Sequence, residues 1–153
     1  MTVTYSSYLH LDELLAAQQP LSDGPEHDEM LFIVIHQVYE LWFKQLLHEV
    51  GYLGTALEQD DLPRVYATLK RFLTILKVQV AQIDILETMS PVSFLSFRAR
   101  LDTASGFQSP QFRELEFVLG RRSARMIAHH EGTPAADRLA ALLREPSLWD
   151  HFV

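Results

Sequence analysis

The chain contains no cysteine. That removes disulfides and thiolate-held metals, and it suits a reducing compartment. Basic residues are also scarce. Thirteen Lys and Arg stand against twenty Asp and Glu, a formal charge of −7 with the histidines neutral, which argues against a nucleic-acid partner or an anionic membrane surface. No apolar run approaches the ~20 residues that cross a bilayer, and Met1-Thr2-Val3-Thr4-Tyr5 is not a basic segment leading into a hydrophobic one. The expectation is a cytoplasmic protein that engages no membrane and no nucleic acid. Its ligands would be small molecules or other proteins. HExxH, a Glu-x-x-His pair, a glycine-rich phosphate loop and a nucleophile elbow are all missing, so hydrolase and nucleotide-binding readings have nothing to rest on.

What the chain does have is apolar content at helical spacing. With 48% apolar residues, its 153 positions can bury one core, and we read residues 1–153 as a single domain. Strand signals are weak and no internal repeat is visible, which points to an all-α chain. Residues 5–18 form a short amphipathic segment before Pro20, and a polar turn follows at 21–27. A long helix is expected over about 28–57, with Asp28 and Glu29 complementing its N-terminal dipole. A second is expected over about 62–88, its apolar stripe running Leu62, Val65, Tyr66, Leu69, Phe72, Leu73, Leu76, Val80, Ile83 and Leu86. The short turn between them implies antiparallel packing. Ser90-Pro91, Ser109-Pro110 and Thr133-Pro134 each put a capping hydroxyl before a proline suited to the first helical turn, so three short helices should follow. Gly120 should end the middle one, with Arg121 and Arg122 complementing its negative end.

The run from Phe32 to Gln45 sets His36 among aromatic and aliphatic residues. Phe32, His36, Tyr39 and Phe43 fall at i, i+4, i+7 and i+11, on one helical face that could line a pocket for a flat aromatic ligand. Two accounts of His36 stand level: a core histidine satisfied by its neighbours, and a neutral imidazole at the edge of an apolar cavity, able to accept an N–H or act as a base. Glu40 is more simply paired with Lys44 at i,i+4 than catalytic.

Phe94 and Arg98 form a second constellation, again at i,i+4. A guanidinium beside aromatic rings can hold a carboxylate while the rings take an apolar group; a surface arginine is the plainer account. Ser105-Gly106 offers a hydroxyl and a close backbone approach, or simply a turn between helices. His129 and His130 diverge by about 100° on a helix and cannot chelate one ion together.

Several segments together resemble the N-terminal half of the tryptophan 2,3-dioxygenase family. They are Tyr5-Ser6-Ser7-Tyr8-Leu9, residues 27–33, residues 36–45, Leu86-Glu87-Thr88-Met89, Phe97-Arg98, residues 104–109 and residues 146–150, in order and with compatible spacing. The resemblance implies a helical, haem b-dependent homotetramer that inserts both atoms of O₂ across the indole C2–C3 bond of L-tryptophan. The product is N-formylkynurenine, the first intermediate of tryptophan catabolism along the kynurenine pathway. By the same resemblance His36 is the distal histidine that meets the indole N–H, and Phe32 lines that pocket. Phe94 supplies an aromatic wall, Arg98 clamps the substrate carboxylate, and Leu101 lines the same pocket. Ser105 and Gly106 form the loop beside haem and substrate, while Tyr5 and Tyr8 reach into a neighbouring subunit's site.

In the family, the proximal haem histidine and a threonine that contacts the substrate ammonium lie in the C-terminal half. Neither has a counterpart in these 153 residues, so the chain is expected to be a C-terminally truncated form, with no metal ligand of its own assigned. Two further readings stay open beside the dioxygenase: a haem-dependent oxygenase acting on another aromatic, and a non-catalytic helical oligomer that has lost its haem.

Overall fold

The computed structural model describes residues 2–153 and is helical, with no strand among them. Among the described residues nine α-helices run in chain order: α1 (Tyr5–Leu9), α2 (Leu11–Leu15), α3 (His27–Glu58), α4 (Leu62–Leu86), α5 (Pro91–Arg98), α6 (Pro110–Val118), α7 (Ala124–Ile127), α8 (Pro134–Leu142) and α9 (Leu148–Phe152). None of them is long and apolar enough to cross a membrane.

Helix α3 is the organising element. At 32 residues it is about 48 Å long at 1.5 Å per residue, and other helices pack along its length. α4 returns antiparallel after a tight turn at Gln59–Asp61, in which Asp60 adopts a left-handed φ of 53° and the Asp61 carboxylate caps α4 by accepting from the Arg64 amide at 3.1 Å. The seam between the two buries Leu46 and Val50 of α3 against Phe72 and Ile75 of α4, with Leu115 of α6 closing the cluster. A buried carboxylate crosses the same seam: Glu49 accepts from Gln45 at 2.6 Å and from the Arg71 guanidinium at 3.0 and 3.1 Å. Pairing and hydrogen bonding are what make such burial tolerable.

The expected stripe on α4 is only partly the one buried. Val65, Thr68, Phe72, Ile75 and Gln79 face the core, whereas Leu62, Tyr66, Leu69, Leu73, Val80 and Ile83 are exposed. The apolar positions span more than one face of the helix, and α3 covers only one of them. The N-terminal segment also differs from expectation. Instead of one helix over 5–18 there are two five-residue helices, broken where His10 takes a left-handed φ of 51°.

Proline-led starts occur as expected for α5 and α6. Ser90 accepts from the Ser93 amide at 3.0 Å and Ser109 from the Phe112 amide at 3.1 Å. Thr133 does not cap α8; its hydroxyl instead donates to the His130 carbonyl at 2.7 Å, tying the preceding turn. Gly120 ends α6 with φ +100°, and the Gly120 and Arg121 amides return to the Phe117 and Glu116 carbonyls at 3.0 and 2.8 Å, the paired bonds that favour glycine there. Arg122 Nε adds a bond to the Phe117 carbonyl at 3.1 Å. A second core of Phe117, Leu139 and Leu142 joins α6 to α8.

The start of α3 is held from outside the helix. Glu29, 1% exposed, accepts from the Leu21 and Ser22 amides at 2.7 and 3.0 Å and from the Ser22 hydroxyl. Burial alone would push its carboxyl up, but the Ser22 hydroxyl and the two amides overcome that and hold it below the ordinary glutamate value. A depressed folded value stabilises the fold above the ordinary carboxylate range, and that contribution is lost as pH falls through the folded value. Glu29→Gln should therefore cost about 2 kcal/mol at neutral pH in denaturant unfolding. The gap from the parent should close as pH falls below about 4; a gap independent of pH would overturn this account.

Candidate functional site

One pocket combines an imidazole with aromatic walls. Its volume is about 330 Å³, and it is lined on one side by His36, Tyr39, Glu40 and Phe43 of α3 and on the other by Ser105, Gly106, Phe107, Ser109, Phe112 and Arg113. The α3 residues recur three and four apart, so one helical face presents them together. The opposite wall is a 3-10 turn, Gly106–Gln108, that leads into α6. It is capped reciprocally: the Ser105 hydroxyl accepts from the Phe107 amide at 3.3 Å, and the Gln108 side chain accepts from the Ser105 amide at 3.2 Å.

His36 is half-buried, and its Nδ1 lies 2.7 Å from the carbonyl oxygen of Phe32. A carbonyl can only accept, so Nδ1 carries the proton and donates. In the neutral ring Nε2 is then an acceptor, and among the described residues it has no partner. The Phe32 ring tilts against the imidazole at 4.2 Å between centroids. Phe32 thus belongs to the shell behind His36 and is not part of the pocket wall, unlike Tyr39 and Phe43.

Phe32 also links α3 to α5. Its ring meets Phe94 at 5.8 Å and Phe97 at 5.6 Å, and these two meet each other edge to face at 5.5 Å. Phe97 is fully buried; reading the sequence assigned the aromatic wall to Phe94 and gave Phe97 no separate role. Its position beside Arg98, three residues after Phe94, was the available signal. Arg98 is half-buried and donates to the Asp102 carbonyl at 2.9 Å. Asp102 has a φ of 47°, and it opens the connection to Ser105. Leu101 is half-buried on the same connection.

The structure therefore gathers His36, Ser105 and Gly106 around one pocket, with Phe32 and Phe94 packed behind it. Arg98 and Leu101 sit along the connection that feeds the loop, outside the pocket lining. Tyr5 and Tyr8 stand apart on α1, 77% and 74% exposed. Glu40 does not pair with Lys44: its carbonyl and carboxylate accept from the Gln111 amide of α6, at 3.0 and 2.8 Å.

Among the described residues no three His, Asp or Glu side chains gather as a metal site. His130 is buried, with its imidazole pushed down chiefly by burial and then by Arg113 and His129, and His151 is paired with Glu58 at 3.1 Å. The pocket does suit one face of a flat macrocycle. His36 lines it with Nε2 unpartnered among the described residues, the rings of Phe43, Phe107 and Phe112 are apolar, and a Cβ on Gly106 would meet nothing within 4 Å.

The back of the site is tied to α4 by Tyr39, whose hydroxyl donates to the Gln79 carbonyl at 2.6 Å. Burial pushes this phenol above its ordinary value. A raised folded value keeps the stabilisation intact below the ordinary tyrosine range and erodes it as pH climbs above about 10. Tyr39→Phe should cost about 1 kcal/mol at neutral pH and flatten the alkaline loss of stability; equal steepness in parent and variant would exclude Tyr39 as its source.

Comparison with known proteins adds a family to this geometry. The sequence profile of the tryptophan 2,3-dioxygenase family matches residues 1–146. A tryptophan 2,3-dioxygenase from Herpetosiphon aurantiacus is 56% identical over 151 residues, 99% of this chain and 58% of the relative. One from Anaeromyxobacter is 58% identical over 149 residues, covering 97% and 56%, and one from Rhodococcus jostii is 46% identical over 151 residues, covering 98% and 53%. The chain thus spans somewhat over half the length of these relatives. With an imidazole acceptor in an aromatic pocket, a family profile that matches residues 1–146 and relatives about half identical along almost the whole chain, the chain belongs to the tryptophan 2,3-dioxygenase family.

Proposed function

We propose that this chain supplies the substrate-orienting wall of a haem b-dependent dioxygenase that opens the indole ring of L-tryptophan with O₂ to give N-formylkynurenine. The observation that carries the proposal is the bond from His36 Nδ1–H to the Phe32 carbonyl. It fixes the tautomer, so the ring offers the pocket an acceptor suited to an indole N–H. Haem, when bound, supplies the dioxygen chemistry, while the protein supplies orientation and a dry surround. Phe43, Phe107, Phe112 and Gly106 would rest against the macrocycle.

His36 Nε2 holds the indole N–H, which fixes the direction in which the C2–C3 bond is presented. Arg98 uses one nitrogen on the Asp102 carbonyl, and its remaining N–H groups are available to the substrate carboxylate. Phe32, backed by Phe94, keeps the imidazole in place from behind, Ser105 borders the substrate, and Leu101 lies on the connection that leads to that wall. The exposed Tyr5 and Tyr8 support a homo-oligomer, a tetramer as in the family, in which each α1 completes a neighbour's site, and the absence of cysteine supports a place in the reducing cytoplasm.

Haemin titration of this chain, followed by Soret absorbance and an N-formylkynurenine assay with L-tryptophan and O₂, tests the proposal. A shifted Soret band is expected, with product formation once the C-terminal half of a family member supplies the proximal histidine. No shift and no product would replace this reading with that of a helical remnant without haem. In the loaded protein His36→Ala should lower turnover at least tenfold, about the worth of one hydrogen bond in the transition state. Arg98→Ala should chiefly raise KM, on the order of a hundredfold for a lost charged clamp. Indifference to both substitutions would overturn the two roles. Sedimentation at micromolar concentration should find an oligomer, and a stable monomer would remove the roles given to Tyr5 and Tyr8.

A further inference from the structure

The two walls of the His36 pocket are joined by one side chain. Gln111, in the first turn of α6, places its amide nitrogen 3.0 Å from the Glu40 carbonyl and 2.8 Å from the Glu40 carboxylate, across 71 residues of sequence. Glu40 lies one turn beyond His36 on α3, and Gln111 follows the Gly106–Gln108 turn by three residues. The rings of Phe43 and Phe112 meet beside this clasp at 5.3 Å. Among the described residues the turn itself is held by bonds within the loop: the Phe107 amide to the Ser105 hydroxyl, the Gln108 and Ser109 amides to the Ser105 and Gly106 carbonyls, and the Ser105 amide to the Gln108 side chain. Its distance from the imidazole therefore depends on where α6 begins, and Gln111 fixes that point.

We infer that Gln111 is a positioning residue for the proposed reaction: by clasping Glu40 it sets the Ser105–Gly106 wall at a working distance from His36, without touching the substrate itself. The ring contact between Phe43 and Phe112 supplies attraction but little register, because apolar contact is not directional. Two hydrogen bonds from one amide, to a backbone carbonyl and a carboxylate one turn from His36, supply the register. The inference rests on the dioxygenase reading for its consequence, but the clasp can be tested without haem or tryptophan.

Amide hydrogen exchange of this chain is the first measurement. Gln111→Ala should speed exchange of the 107–109 amides about five- to tenfold, the opening expected when a hydrogen bond or two is lost, with α4 and α8 amides unchanged. Gln111→Glu sets two carboxylates together and should open the loop further. Combining it with Glu40→Gln exchanges donor and acceptor between the two side chains and should return part of the protection, the bond to the residue-40 carbonyl staying lost, a rescue that simple loss of packing would not show.

In the haem-loaded protein the singly substituted chains should bind L-tryptophan more weakly, by about fivefold, with the pair again recovering. Unchanged exchange at 107–109, equal acceleration throughout the chain, or failure of the pair to recover would each overturn the positioning role. Absence of haem binding in the parent would count against the dioxygenase reading alone, with the clasp still decided by exchange.

Discussion

A single long helix constrains everything around it. α3 has buried positions along most of its length, and no single neighbour covers them: α4 packs beside it, α5 covers its N-terminal turns through Phe32, α6 covers its middle, and α9 covers its C-terminal end. The seam with α4 is the most extensive of these, since it combines Leu46, Val50, Phe72 and Ile75 with the buried Glu49 carboxylate held by the exposed Arg71. Once that seam fixes the rotation of α3 about its own axis, the direction of His36 is no longer free. The pocket is then the gap left where α5 and α6 approach the same rod from two sides.

This arrangement gives each half of the site a different kind of support. The imidazole side is anchored by covalent regularity: a helical backbone positions the Phe32 carbonyl one turn before His36, and a 2.7 Å bond settles the ring's proton. The loop side has no such scaffold. It relies on a short capped turn, on Arg98 reaching the Asp102 carbonyl, and on the start of α6. Orientation of an aromatic ligand would come from the rigid side and access from the other. That division is common where a binding loop is carried on a rigid frame.

The two long helices were legible because periodicity, a dipole-compatible start and a polar turn all agreed, and their ends fall within two residues of expectation. Which face of α4 would be buried was not legible, because its apolar residues occupy more than one stripe and sequence does not say which stripe a neighbour covers. The break at His10 depends on a left-handed residue that is not a glycine, for which spacing gives no warning. Within the site, His36, Tyr39 and Phe43 were readable from their spacing, whereas Phe32, placed on the same wall by that spacing, packs behind His36. The family roles of Phe94, Arg98, Ser105 and Gly106 came from motif likeness. The Glu40–Gln111 contact was invisible: local charge pairing favoured Lys44, and the true partner lies 71 residues away. Phe97 was overlooked because an i,i+4 rule pairs Phe94 with Arg98 and skips the ring between them.

That separation of 71 residues also has a kinetic meaning. The α3–α4 hairpin closes over a turn of three residues, and the Glu29 tie closes over seven, so both can form early at small cost in chain entropy. The join between Glu40 and Gln111 must wait until α4, α5 and the loop after it are already in place. On loop-closure cost alone the imidazole face forms ahead of the wall opposite it. A chain of this design can open its pocket while keeping its core, which gives a large, flat guest a route in that does not require the bundle to come apart.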